Sequence, residues 1–577
     1  MINRISLCIL LLVARATVMQ AQVPPLVVET SRFTQSPAYP DIIRWWKALD
    51  RYSPQVSVQT MGPTDSGYPL HLVWLTADGD YNIRSLKQKD RRIILINNGI
   101  HPGEPDGIDA SMLLARDVVL RRIQLPKNIA LAIIPVYNIG GCLNRSTHYR
   151  VDQNGPEAFG SRGNAQNLDL NRDMVKCDSK NAQSLTEIFH LLDPDVFVDN
   201  HVSNGADYQH IMTLLTTQHT KLGGIMGRYL HEEFEPALYT EMKQKGYDLI
   251  PYVNVWGDTP EKGWSDYWDS PRYVSGFAAL WHIFSFVPET HMLKSYEQRV
   301  RATQALLACF VDFTSRNSSR IRDLRNESKR LARSSDRFPI KWKLDRTQYK
   351  EYPFKGYEAG YKTSEVSGQQ RLYYDRSKPF EKPVRIYDHY SPTDYVRRPK
   401  AYIIPQGWWR VVGLLKQNRV RMERLASDTI IGVEVYRIED YKSLPRPYEQ
   451  HHLNAEVRIS VSHRSVPFRK GDWYIPMDQD ANRFLIETLE PEAEDSYFAW
   501  NFFDAILGQK EGYSAYVFED IAAEHLRKHP ELAAKLAARR ATDTVFAKSA
   551  RAQLDFVYQH SPWYEPAHNT YPVYRVR

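Results

Sequence analysis

Apolar and polar positions follow two rhythms along the first half of the chain. "DIIRWWKALDRY" has apolar residues at helical spacing, and "VSVQTMG" and "LHLVWLT" follow as strands. Ile93 to Ile96 form an unbroken apolar run, as a buried strand does. "IDASMLLARDVVL" returns to the period of an amphipathic helix; "IALAIIPVYN" then reads as a strand, "NAQSLTEIFHLLD" as a helix and "DVFVDNH" as a strand. This alternation predicts a layered α/β sheet running to roughly Ala308. Residues 294 to 334 read as helix, closed by the charged stretch "RNSSRIRDLRNESKRLARSSDR". From Phe338 the character changes. Short strand-like runs ("AYIIP", "IIGVEVYRI", "AEVRISVSH") stand between polar turns, the pattern of a mostly β unit, and Glu519 to Arg551 return to helix. The expected division is a leader at 1–21, an α/β unit at 22–335 and a β-rich unit at 336–577.

A chain of 577 residues exceeds one ordinary core, which agrees with more than one unit. The net charge of +7 is spread along the sequence, and the basic stretch Arg316 to Arg333 is interleaved with acids. It reads as a solvated helix face, so no nucleic-acid partner is expected. Arg4, the apolar run Ile5 to Val13 and the small residues of "VMQAQ" form a secretory signal with cleavage after Ala21. That run is too short to span a membrane and no later one reaches about 18 residues, so an exported, periplasmic or secreted protein is expected. "ISLC" around Cys8 lacks the small residues that precede a lipidated cysteine. Of the remaining cysteines, Cys142 and Cys177 could pair in an oxidising compartment or stand as buried free thiols, and with Cys309 the odd count leaves one free in either case.

The chemistry begins at "LINNGIHPGEPDG". The strand ends in a loop with three glycines and two prolines, where open α/β sheets place their active groups. His101 and Glu104 on that loop can hold one metal ion between them. His201 closes the strand of "DVFVDNHVSNG", a third ligand at a spacing usual for zinc held by two histidines and a glutamate. In "RGNAQNLDLNRDM", Arg162 and Arg172 flank Asn167, Asp169 and Asn171. A guanidinium grips a carboxylate through paired hydrogen bonds, Asn171 offers a further donor, and Asp169 can orient a ligand histidine through its second ring nitrogen. Glu289 in "FSFVPETHMLK" follows an apolar strand, a position from which a carboxylate can accept a proton from water beside zinc and pass it to a leaving amine. "HEEFE" at His231 lacks the second histidine of H-E-x-x-H and reads as a solvated, charged helix.

Together these segments resemble the zinc metallocarboxypeptidase family, with the carboxypeptidase A-like fold, over about residues 40 to 310. The motifs appear in the family's order: H-x-x-E, then D-x-N-R, then a strand-end histidine and a strand-end glutamate. The resemblance implies a mixed central sheet flanked by helices, followed here by the mostly β unit with its terminal helices. It also implies one zinc ion per chain, with His101, Glu104 and His201 as ligands and Asp169 behind them. Asn171 and Arg172 match the pair that holds the substrate's terminal carboxylate, and Glu289 matches the catalytic glutamate. Arg162 is the choice for the arginine that polarises the scissile carbonyl, with Arg150 in "HYRVD" as the competitor. Tyr273 in "RYVSGF" matches the mobile tyrosine but sits closer to the catalytic glutamate than in the pancreatic enzymes, and "ETHMLKSYEQRV" resembles bacterial exported members instead. The implied activity is removal of a C-terminal residue from a peptide with a free carboxylate. The alternatives are a cell-wall peptide hydrolase or deacylase on the same scaffold, or a zinc-retaining binding protein without catalysis.

Overall fold

The structure is a computed structural model and describes residues 23–577. The expected signal segment, Cys8 included, lies outside the described residues. A large mixed sheet is built from β1 (Val56–Pro63), β2 (Pro69–Thr76), β3 (Arg92–Asn97), β4 (Ile129–Ile134), β5 (Val196–Asp199), β6 (His201–Ser203), β7 (Met212–Thr216), β8 (Ile250–Pro251) and β9 (Phe284–His291). Its order is β1-β2-β4-β3-β5-β9-β7-β8, with β6 also pairing β9. The centre, β4, β3, β5 and β9, is parallel; β2 and β7 run against their central neighbours β4 and β9, and β1 runs against β2. Every residue of β3 and β4 is buried, as expected of strands covered on both faces.

The two faces lead into two cores. Ile94 and Ile96 pack with the helices Tyr39–Tyr52, Asp106–Val119 and Tyr296–Arg316. Ile93 and Leu95 point the other way, onto the helices Lys180–Leu192 and Val274–Leu280. This alternation is the period of two of a strand, read directly from "IILI". The second core does not stop at the α/β unit. It continues into Tyr402, Val411, Leu415 and Phe484 of the C-terminal part, where Trp281 and Phe484 lie 5.2 Å apart. That part contains a six-stranded sheet and the long hairpins Lys350–Thr363 with Gln370–Tyr387 and Thr429–Ser443 with Asn454–Phe468. Helices from Ala515 to Gln559 form a small cluster of their own near the end.

One open alternative is decided and one expectation is corrected. Cys142, Cys177 and Cys309 are all free and buried, the second of the two alternatives. Cys142 sits in one core and Cys177 in the other, so the sheet separates the two thiols. The "HEEFE" segment forms a π-helical turn, Leu230–Phe234, between two α-helical stretches. Glu232 and Glu233 are solvated as expected, but His231, Phe234 and Glu235 are buried. The extra residue of a π-turn rotates the helix face, and the strand that covers this face comes from far along the chain at Lys350.

Candidate active site

The site lies at the end of the parallel strands. β3 delivers the loop 98–105, β5 and β6 deliver His201, and β9 delivers Glu289 in register with His201. Side chains lock the strand ends together. Asn97 donates to Asp199 at 2.9 Å and Asn200 donates to Asn98 at 2.8 Å. Gly107, in the first turn of the following helix, is required by this closeness: a Cβ there would lie 2.4 Å from Cβ of Asn200.

His101, Glu104 and His201 are buried and converge, with one ligand atom from each within 4.8 Å of the others. Nδ1 of His101 and Nδ1 of His201 lie 3.4 and 3.1 Å from Oε2 of Glu104. The outer nitrogens are held from behind: Nε2 of His101 by Asp169 at 3.0 Å and Nε2 of His201 by Asp199 at 2.9 Å. Each imidazole therefore presents one nitrogen inward and has a carboxylate on the other, the arrangement that fixes tautomer and ring direction in metal-binding histidines. Two nitrogens and one carboxylate, with space on the fourth side, suit zinc. Burial pushes the Glu104 carboxyl up, but Arg150 and His101 outweigh it and hold the group well below its usual range. Asp169 is held low in the same way, His101 being the larger influence and Arg162 and Arg172 adding to it. Glu289 behaves oppositely: loss of water around its carboxyl raises it, against the pull of His201.

His101, Glu104, His201 and Glu289 line a cavity of about 420 Å³ together with Arg150, Arg162, Asn171, Arg172, Tyr252, Tyr267 and Tyr273. Arg172 lies over the Tyr273 ring, 4.5 Å from its centroid. The two candidate arginines differ in freedom. Arg150 donates to Glu104 at 2.8 Å and its side chain is 16% exposed, whereas Arg162 pairs with Asp169 at 2.9 Å and is 46% exposed.

Residues 42–189 match the family model described as zinc carboxypeptidase. Over that stretch the chain is similar to zinc carboxypeptidases. The matched stretch holds H-x-x-E and D-x-N-R, while His201 and Glu289 lie beyond it and reach the site through the sheet. No curated protein sequence matches the chain. Among solved structures, the chain is similar to a metallo-carboxypeptidase from Pseudomonas aeruginosa in complex with (2-guanidinoethylmercapto)succinic acid, at 13% identity over 48% of this chain and 68% of that one, TM-score 0.36. It is similar to a metallo-carboxypeptidase from Burkholderia cenocepacia at 16% identity, covering 48% and 67%, TM-score 0.34. It is similar to carboxypeptidase A from Helicoverpa armigera at 13%, covering 52% and 75%, TM-score 0.35.

The residues expected to bind metal or substrate, His101, Glu104, His201, Glu289, Asn171, Arg172, Arg162, Arg150 and Tyr273, line this cavity with Asp169 behind His101, whereas Asn167 is exposed outside it and His231 lies elsewhere; the site also contains residues that were missed. Asp199 stands two residues before His201, and its signal was the acid at the strand end in "VDNH". Tyr448 and Glu449 come from the tip of a hairpin in the β-rich part. The Tyr448 hydroxyl accepts from Nε of Arg172 at 2.8 Å, and Glu449 accepts from the backbone N–H of Asp169, also at 2.8 Å. No local pattern in "RPYEQHH" announces this role.

Proposed function

We propose that the protein is a zinc-dependent carboxypeptidase acting on peptides with a free C-terminal carboxylate. The observation that carries the reading is one cavity lined by the His101, Glu104 and His201 cluster, by Glu289 and by Arg172. Zinc bound by that cluster supplies a Lewis acid that polarises a carbonyl and lowers the pKa of water. Arg172 and Asn171 grip the terminal carboxylate, and Tyr273 stacks beneath the guanidinium and limits its movement. Arg162, the more exposed arginine, meets the scissile carbonyl oxygen as negative charge builds on it, although it too pairs with Asp169 at 2.9 Å and reaches Glu104 at 3.6 Å, while Arg150 is held more closely by Glu104 at 2.8 Å. Glu289 accepts the proton of the attacking water and returns it to the departing nitrogen. A catalytic use also gives this half-buried carboxylate a purpose that a mere zinc-binding role does not. The leader sequence supports export as the setting, and no helix among the described residues is long and apolar enough to cross a membrane.

The test is hydrolysis of paired peptides, one with a free carboxyl end and one amidated, with and without a chelator. The free acid should be cleaved only with metal present, and the amide about ten-fold or more slowly, the scale of a lost charge-assisted pair. Equal turnover of the two would overturn the exopeptidase reading.

A further inference from the structure

The buried His231 belongs to a second cluster on the flank of the sheet. His219 opens the short helix His219–Leu222 beyond β7, and His231 lies in the π-helical turn. Asp388 and His389 form the link between the strands Gln370–Tyr387 and Tyr390–Arg397. The His219 and His231 rings are stacked with centroids 3.9 Å apart, and His389 stands edge-on to them at 4.8 and 5.5 Å. One ligand atom from each of these four residues lies within 4.8 Å of all the others.

The hydrogen bonds leave inward lone pairs. Nε2 of His219 faces the backbone carbonyl of Asp388 at 3.0 Å, so a donated N–H there leaves Nδ1 unprotonated. Nδ1 of His389 faces Oδ1 of Asp388 at 2.6 Å, which leaves Nε2 in the same way. Nε2 of His231 is 3.7 Å from the second oxygen of Asp388. An imidazole whose other nitrogen donates to a carbonyl or carboxylate is oriented and tuned as a metal ligand. Gln218 also donates to the Asp388 carbonyl, and the Tyr390 hydroxyl donates to the carbonyl of Asp266 at 2.9 Å, so the link is held in place from both sides.

We propose that His219, His231, Asp388 and His389 form a second metal site, for a divalent ion of the zinc type. Three imidazoles and one carboxylate complete a tetrahedral shell with no position left for substrate, which is a structural rather than a catalytic site. Ligand atoms around such an ion stand about 3.4 Å apart, for bonds of about 2.0–2.1 Å. Ring rotations about the soft terminal torsions close the remaining distance. The ion would replace the ammonium of Lys350, now 3.4 Å from Nδ1 of His231, as the positive charge among these groups. It would pin the first hairpin of the β-rich part to the α/β unit, because its ligands are split between them.

Zinc itself is the probe. In the full chain carrying His101→Ala and His201→Ala, the catalytic cluster is disabled and any remaining site is reported alone. After removal of metal, calorimetric titration of that variant should show one equivalent of Zn²⁺ bound, with a rise in the thermal unfolding midpoint. Adding His219→Gln and His389→Gln should abolish both, with circular dichroism confirming that each variant is folded. X-ray absorption of the bound zinc should show imidazole and carboxylate neighbours. Absence of saturable binding in the first variant, or an equivalent retained in the second, refutes the site independently of the catalytic reading.

Discussion

Arg172 and Glu289 face the same cavity, but their surroundings suit different tasks. Arg172 keeps its charge, held by Asp169, the Tyr273 ring and Tyr448. Glu289 is placed by a rigid strand, between partners His201 on one side and Thr213 on the other, and its carboxyl is raised by burial. Glu289→Gln keeps the shape and removes the proton acceptor. The catalytic rate should fall by at least about 10²-fold while metal content and fold persist, measured as kcat beside zinc stoichiometry on one preparation. Near-normal turnover would assign the proton to another group. At this scale the sequence was most informative, because strand-end residues are set by their own short neighbourhoods. His101, Glu104, His201 and Glu289 each close or follow an apolar run. Asp199 was hidden only because an acid two places from a histidine is common.

Secondary structure elements bring in what single residues do not announce. The hairpin tip from Leu444 to Leu453 sends Tyr448 and Glu449 onto the D-x-N-R loop, and Glu449 and Gln450 adopt positive φ of 49° and 72° there. Such backbone costs on the order of 1–3 kcal/mol per residue and persists because surrounding contacts hold it. Tyr448→Phe removes one hydrogen bond to a charged group, worth about 1.5–3 kcal/mol, so KM for free-acid peptides should rise by roughly ten-fold with kcat little changed. An unchanged KM would show that Arg172 needs no help from this hairpin. A second contact between the units predicts a pH effect. His190 on the helix Lys180–Leu192 lies 3.1 Å from the side-chain oxygen of Asn418, and burial lowers its pKa from 6.5 to about 4. Between those values the unfolded chain binds a proton that the folded chain refuses, so this contribution is complete above the upper value and is lost as pH falls towards the lower. Its slope is at most about 1.4 kcal/mol per pH unit. Urea unfolding of wild type and His190→Gln across that window should show a shallower slope for the variant; identical slopes would contradict the assignment. Neither contact was legible beforehand, because each joins segments whose separation no periodicity encodes.

For the whole molecule, the alternation of helices and strands was enough to expect a layered α/β unit followed by β structure. It did not show that the two parts share a core. That core is made by interleaved side chains such as Phe277, Trp281 and Phe484, and a hydrophobic pattern states which face is buried but not what covers it. Phe484 belongs to the C-terminal part yet packs on a helix of the α/β unit. Phe484→Ala should therefore destabilise both parts together by about 3–5 kcal/mol, seen as one cooperative unfolding transition shifted to lower denaturant. Two separate transitions, only one of them shifted, would show that the parts unfold independently.

The bond between Arg172 and Tyr448 spans 276 positions of the chain. At ribosomal speeds of about 5–20 residues per second, the arginine waits on the order of tens of seconds for its partner to be made. His101, Glu104, His201 and Glu289 are all synthesised before the hairpin whose tip holds Arg172. Under the proposed carboxypeptidase reading, a nascent chain that stops short of the hairpin lacks both the grip on a substrate's end and the Phe484 side of the shared core. Selectivity then arrives with the C-terminal part, which makes the order of manufacture itself a restraint on early proteolysis.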